Sequence, residues 1–231
     1  MSFDDLPFGP DDLERAEKEL SEIADRLAER FRGTFTHASV ERYVFESYQA
    51  LAASARLAAF LPALTERFAD DRLVALAYAQ KPPVRPVPQV LFVCDRNAAR
   101  SQMAAALLDM QARGRVNTRS AGSRPAAELE LGVLEAMAEI GADISAEYPK
   151  PLTDEFVAAA DIIVTVGCDD ACPVLPGKRY LDWNVPDPEG KDMVEVRRIR
   201  DELDLLVADL LTYLPEAADR GTDDPKGTPD V

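Results

Sequence analysis

The stretch QKPPVRPVPQ at residues 80–89 places four prolines in ten positions. Proline fixes φ and lacks a backbone N–H, so this run excludes a helix interior or a central strand and predicts a stiff, extended connector. The 231-residue chain therefore divides there, and the periodicity on the two sides differs. Before the break, Leu13, Leu20, Ile23, Leu27 and Phe31 recur at helical spacing, with Gly33 as a stop. Ser39 is placed to cap a second helix carrying Val40, Val44 and Leu51, and a third presents Leu57, Leu61, Leu64, Phe68 and Leu76. Pro62 marks either the start of that third helix or a kink in it. Three amphipathic helices with short connections predict a small bundle over residues 1–79.

After the break, strand and helix patterns alternate. VLFVC (90–94) is a short apolar run, followed by a helix from about Ala99 to Arg113, a strand from Val116 to Ala121, and a helix over ELGVLEAMAEIG ending at Gly141. A helix over TDEFVAAA leads into DIIVTVG, the most strand-like stretch; KRYLDW reads as a fourth strand and VEVRRIRDELDLLVADLLTYL as a long final helix. This alternation predicts an α/β unit over 90–215, a four-stranded parallel sheet with helices on both faces. Ligands in such sheets sit at the carboxyl ends of the strands, and Cys94 stands at one. Residues 216–231, rich in Pro, Gly and Asp, predict a disordered acidic tail.

Charge narrows the partners. A net charge of -16 repels nucleic acid and anionic membrane over the whole surface, but leaves room for a small anion held by local donors. Residues 1–80 hold fifteen acidic and nine basic side chains, a net of -6, which argues against a DNA-binding module. No apolar run approaches a membrane span. The acidic N-terminus fits neither a signal nor a transit peptide, so the cytoplasm is the expected compartment. Three cysteines and a single histidine, His37, suit neither a disulfide framework nor a structural zinc site, and no metal is expected.

The turn CDRNAARS joins a strand end to a helix start. A loop of that length can aim successive backbone N–H groups at one point and add the helix N-terminus, so Asp95, Arg96, Asn97, Ala98, Ala99, Arg100 and Ser101 form a candidate anion cradle. The planar fork of Arg100 suits a tetrahedral oxyanion. The same donors favour a thiolate at Cys94, hence a nucleophile, and Ser101 can donate to the sulfur. Asn97 tolerates a left-handed turn. Taken alone, C-x-x-x-x-x-R occurs often by chance and is better explained by a small buried cysteine and a surface arginine; the strand before, the helix after, and the Asn and Ser in support shift the reading to the cradle.

VLFVCDRNAARSQMA resembles the anion loop of the low-molecular-weight protein tyrosine phosphatase superfamily, and Ser-Gln-Met after the arginine resembles its arsenate reductase branch. SAG at 120–122 is similar to the family's second strand end, VTVGCDDACPVLPG to the redox segment of the reductases, and LDWNVPDPEGKD to the loop holding the family's catalytic aspartate. The likeness covers about Val90 to Leu214, and the N-terminal helices are similar to an extension on some actinobacterial reductases. It implies arsenate as substrate, with phosphate or sulfate able to occupy the same loop. It further implies Asp187 as general acid, with Asp182 a weaker substitute, and a Cys94/Cys168/Cys172 disulfide relay. Thioredoxin would be the external reductant, ahead of a low-molecular-weight thiol such as mycothiol or glutathione, with no bound cofactor. Cys168 and Cys172, at i and i+4, would share a face if helical, at a separation compatible with a disulfide.

Departures from the pattern leave two rivals. Glu189 and Gly190 follow Asp187 and Pro188 where the phosphatases usually carry a tyrosine, which weighs against a phosphotyrosine or phosphoester phosphatase. Asp95, a carboxylate beside an anion site, must point outward, toward Arg96, or affinity suffers; with the added helices it supports a weakly catalytic oxyanion sensor. Ala105 and Pro151 stand where some thioredoxin-coupled relatives have acidic residues at a potassium site, so no specific potassium dependence is expected. Apolar surplus on the helices, with Tyr43, Phe45 and Tyr48 on neighbouring faces, suggests a homodimer.

Overall fold

The computed structural model describes residues 10–55, 58–83, 87–167 and 176–214. Leu57, Cys168, Cys172 and the 216–231 tail lie outside them. Three helices come first, α1 (Pro10–Arg30), α2 (His37–Ala52) and α3 (Leu61–Gln80). There follow β1 (Gln89–Cys94), α4 (Arg100–Ala112), β2 (Asn117–Gly122), α5 (Leu131–Ala138), α6 (Asp154–Ala159), β3 (Ile162–Val166), β4 (Arg179–Trp183) and α7 (Met193–Tyr213). The strands form one sheet in the order β2-β1-β3-β4, and every neighbouring pair is parallel. All four carboxyl ends therefore open on one edge.

The period of two in β1 divides the core. Val90, Phe92 and Cys94 face a layer supplied by Leu107 and Leu108 of α4, Met137 of α5 and Ile199 and Leu203 of α7. Leu91 and Val93 face the opposite layer, which Ile163, Phe156 and Val157 share with Leu20, Val44, Phe68 and Leu73 of the N-terminal helices. Phe68 of α3 meets Phe156 of α6 edge-on, centroids 5.9 Å apart. The break in sequence pattern at 80–89 is thus not a break in packing, because the three helices cover one face of the sheet rather than hanging from a spacer.

Two expectations about the helices need correction. Ser39 does not cap α2; Thr36 does, its extended backbone (φ -77°, ψ 154°) letting its hydroxyl accept from the Ser39 N–H. The aromatics expected on a dimer face are used within the chain: Tyr43 and Tyr48 are 8% and 1% exposed and Phe45 packs against the same core. Pro62 falls in the first turn of α3 and starts it, where its missing N–H costs nothing. Arg72 of α3, side chain 9% exposed, ties bundle to sheet unit by donating to Glu155 of α6 (3.1 and 3.4 Å), Glu46 (3.2 Å) and the Ser47 hydroxyl (3.0 Å).

Candidate active site

Cys94 ends β1 with its side chain buried, and the loop to α4 folds back over the sulfur. The Asn97 N–H donates to Cys94 Sγ at 3.2 Å, and Ser101 Oγ lies 2.9 Å from the same atom. The proton on that last contact can be assigned from the surrounding bonds. Lys150 N–H donates to Asn97 Oδ1 at 2.7 Å, which turns the amide so that Nδ2 donates to Ser101 Oγ at 2.8 Å. Ser101 accepts there and gives its own hydrogen to the sulfur, so two donors converge on Cys94. Asn97 takes the left-handed conformation (φ 49°) that reverses the loop.

Arg100 is not a surface charge. It opens α4 with 9% of its side chain exposed. Its Nη2 donates to Asp187 Oδ2 at 2.5 Å, and its Nη1 to Val185 O at 3.4 Å. Asp187 follows β4 and Arg100 follows β1, so the parallel sheet itself brings the two together. Cys94, Ala98, Ala99, Arg100 and Asp187 line one small cavity together with Arg96 and Glu130. Asp182 does not reach it: it lies on β4 and accepts from Thr165 Oγ1 at 2.7 Å.

Asp95 points outward as expected, but not toward Arg96. Its carboxylate accepts from Arg124 Nε and Nη2, both at 2.8 Å, and from Ser123 Oγ at 3.0 Å. The Arg124 hydrogen bonds, the largest influence, hold its carboxyl below the usual carboxylate range against the opposing effect of burial. Arg96 instead pairs with Glu189 and stands 3.7 Å from Glu130. Among the described residues, no group of three or more His, Cys, Asp or Glu side chains could hold a metal.

Several supporting residues escaped the sequence reading. Gln102 Nε2 donates to Asn97 Oδ1 (3.0 Å), Asn97 O (3.3 Å) and Tyr148 O (2.9 Å), bracing the loop from behind. Gly122 lets the loop lie against β2: a Cβ there would stand 2.7 Å from Asp95 O and 2.9 Å from Asn97 N. Gly167, at φ +60°, leaves room for the Arg100 guanidinium, which a Cβ would strike. The glycine of SAG and the one closing DIIVTVG were visible signals; Glu130 and Arg124 gave none.

Comparison with known proteins agrees with this geometry. Residues 89–220 match the model of the low molecular weight phosphotyrosine protein phosphatase, and residues 20–77 that of a protein-tyrosine-phosphatase-like N-terminal domain. The chain is 36% identical over 118 residues to arsenate reductase 1 of Staphylococcus epidermidis, covering 49% of this chain and 88% of that protein. It is 34% identical over 117 residues to the arsenate reductase of Brevibacillus brevis, covering 49% and 87%. Among solved structures, the thioredoxin-dependent arsenate reductase Cg_ArsC1' of Corynebacterium glutamicum superposes with a TM-score of 0.78 at 47% identity, covering 84% of this chain and 96% of that one. An arsenate reductase in the phosphate binding state superposes at 0.51 and 25% identity, covering 55% and 99%. With its N-terminal helices laid on a parallel sheet and a cysteine-arginine loop at the sheet's carboxyl edge, the chain belongs to the low molecular weight phosphotyrosine protein phosphatase family.

Proposed function

We propose that the protein is an arsenate reductase that draws its electrons from thioredoxin. The observation that carries the choice of substrate is the cavity wall. Among the described residues, Arg96, Ala98, Ala99, Glu130 and Asp187 surround Cys94 and Arg100 with no aromatic ring, which fits a small inorganic oxyanion and offers an aryl ester nothing to stack on. The Corynebacterium glutamicum neighbour supports the reductant, and such thiol exchange suits the reducing cytoplasm.

In this reading the Cys94 sulfur, held by the Ser101 hydroxyl and the Asn97 N–H, attacks arsenic. Arg100 holds the equatorial oxygens, and Asp187 supplies the proton with which one oxygen leaves as water. Cys168 then attacks Cys94 Sγ; the sulfur–arsenic bonding pair passes to arsenic, which departs as arsenite, and a Cys94–Cys168 disulfide remains. Cys172 attacks Cys168 and frees Cys94, and thioredoxin reduces the resulting Cys168–Cys172 bond. Trapping tests the order of these steps. Cys172→Ser should give roughly one turnover and then stall with Cys94 joined to Cys168, visible by peptide mass spectrometry. Sustained turnover with thioredoxin as the sole reductant would instead show that thioredoxin reduces the Cys94–Cys168 disulfide directly and that Cys172 is dispensable.

A further inference from the structure

We propose that Glu130 makes the oxyanion site select for the proton its substrate carries, so that hydrogen arsenate and hydrogen phosphate are preferred over sulfate, which the family resemblance alone would admit to the same loop. The inference rests on the cavity at Cys94 being the oxyanion site. Among the described residues two carboxylates face that cavity, and they differ in what already occupies them. Asp187 has both oxygens engaged, Oδ2 by Arg100 Nη2 at 2.5 Å and Oδ1 by the Glu189 N–H at 3.1 Å. The Glu130 side chain is 20% exposed, and among the described residues its one ion pair is the 3.7 Å contact with Arg96, whose guanidinium is committed to Glu189. Among the described residues nothing donates a hydrogen bond to it. Its backbone is pinned to the loop, Glu130 N–H donating to Ala98 O at 3.1 Å, so the carboxyl cannot swing away with a mobile segment.

An ionised carboxylate accepts hydrogen bonds and donates none. Against an oxyanion that bears an O–H it gains a charge-assisted bond. Against one that bears no proton it meets only like charge in a partly desolvated cavity, with no compensating bond. Burial, and next the Asp187 charge, raise the Glu130 carboxyl above its usual value while Arg96 opposes them.

Hydrogen phosphate and sulfate carry the same charge near pH 8, have closely similar shapes and differ by one proton, which isolates the effect. The readout is protection of Cys94 from iodoacetamide in the full chain at constant ionic strength, with inorganic phosphate and sulfate as probes; it needs no turnover. In the native protein phosphate should protect at concentrations on the order of ten- to a hundredfold lower than sulfate. Glu130→Gln, whose amide can donate, should bring sulfate to within about threefold of phosphate, while Asp187→Asn should leave the preference in place. Equal protection by the two anions in the native protein overturns the proposal, whatever the variants do. So does an undiminished preference in Glu130→Gln with its thermal unfolding unchanged. If Glu130→Gln is unfolded, Glu130→Asp, which withdraws the carboxylate by one methylene, serves in its place and must narrow the gap. Protection by neither anion would strike at the oxyanion site itself, and so at the proposed function rather than at Glu130 alone.

Discussion

Asn97 takes φ 49°, where most side chains cost about 1–2 kcal/mol, and its amide links the Lys150 N–H to the Ser101 hydroxyl. Asn97→Ala keeps the strained backbone, leaves the Lys150 N–H buried without its acceptor and frees Ser101 to rotate off the sulfur. Urea unfolding should register a loss of about 2–4 kcal/mol, with turnover falling at least about tenfold; an unchanged midpoint would mean the loop does not depend on this amide. Cys94→Ser should abolish turnover with unfolding unchanged, because a hydroxyl at that position is neither ionised nor a comparable nucleophile. Cys94, Asn97, Arg100 and Ser101 were legible in the sequence because the loop that joins them is local, seven residues from sulfur to hydroxyl. Gln102, Arg124 and Glu130 were not. Arg124 reaches Asp95 across 29 positions and Gln102 reaches Tyr148 across 46, and side chains of that separation leave no spacing to read. The same reason explains why Asp95 was assigned to its neighbour Arg96 and not to Arg124.

Helix α3 shows what a periodic pattern can and cannot say. Its apolar face was evident, but a pattern names a buried face without naming what buries it, and the face was divided between the bundle's own core and a second copy of the chain. The structure lays that face on α6 and the sheet, and the Arg72–Glu155 pair locks the contact. Arg72→Ala leaves Glu155 nearly buried without its partner and should cost about 3–5 kcal/mol, read by thermal or urea unfolding. Burial, the largest single influence, would raise the Glu155 carboxyl, but the hydrogen bonds and charge of Arg72, with smaller contributions from the backbone and Thr153, together hold it below the ordinary value. A carboxyl depressed in the folded state contributes stability that is present above its unfolded value, about 4.3 for Glu, and is lost as pH falls toward the folded one. Stability should therefore drop on acidification below about pH 4.3, and Glu155→Gln should flatten part of that slope. An identical slope in the variant would show that other carboxylates carry it. Alternation of strands and helices predicted a parallel sheet; the strand order β2-β1-β3-β4 was not in the pattern, since period and length do not say which strands meet.

For the molecule as a whole, the N-terminal helices are structural partners of the family's sheet unit. Starting the chain near Val87 would bare Leu91, Val93, Phe156 and Ile163 on one face, so the shortened protein should aggregate or unfold without cooperativity, as light scattering and unfolding curves would show. A stable monomer with full activity would mean that α6 alone covers that face. In the proposed function Cys94 turns over an inorganic oxyanion by reduction and not an ester by hydrolysis. The most direct measurement adds arsenate to the protein with thioredoxin, thioredoxin reductase and NADPH, follows NADPH consumption, and compares it with phosphate release from an aryl phosphate by the same preparation. Arsenate should drive NADPH consumption that Cys94→Ser and Cys168→Ser both remove, with little hydrolysis of the ester. Rapid ester hydrolysis without arsenate-dependent oxidation would contradict it and mark the protein as a phosphatase, and neither activity with intact anion binding would mark it as a sensor.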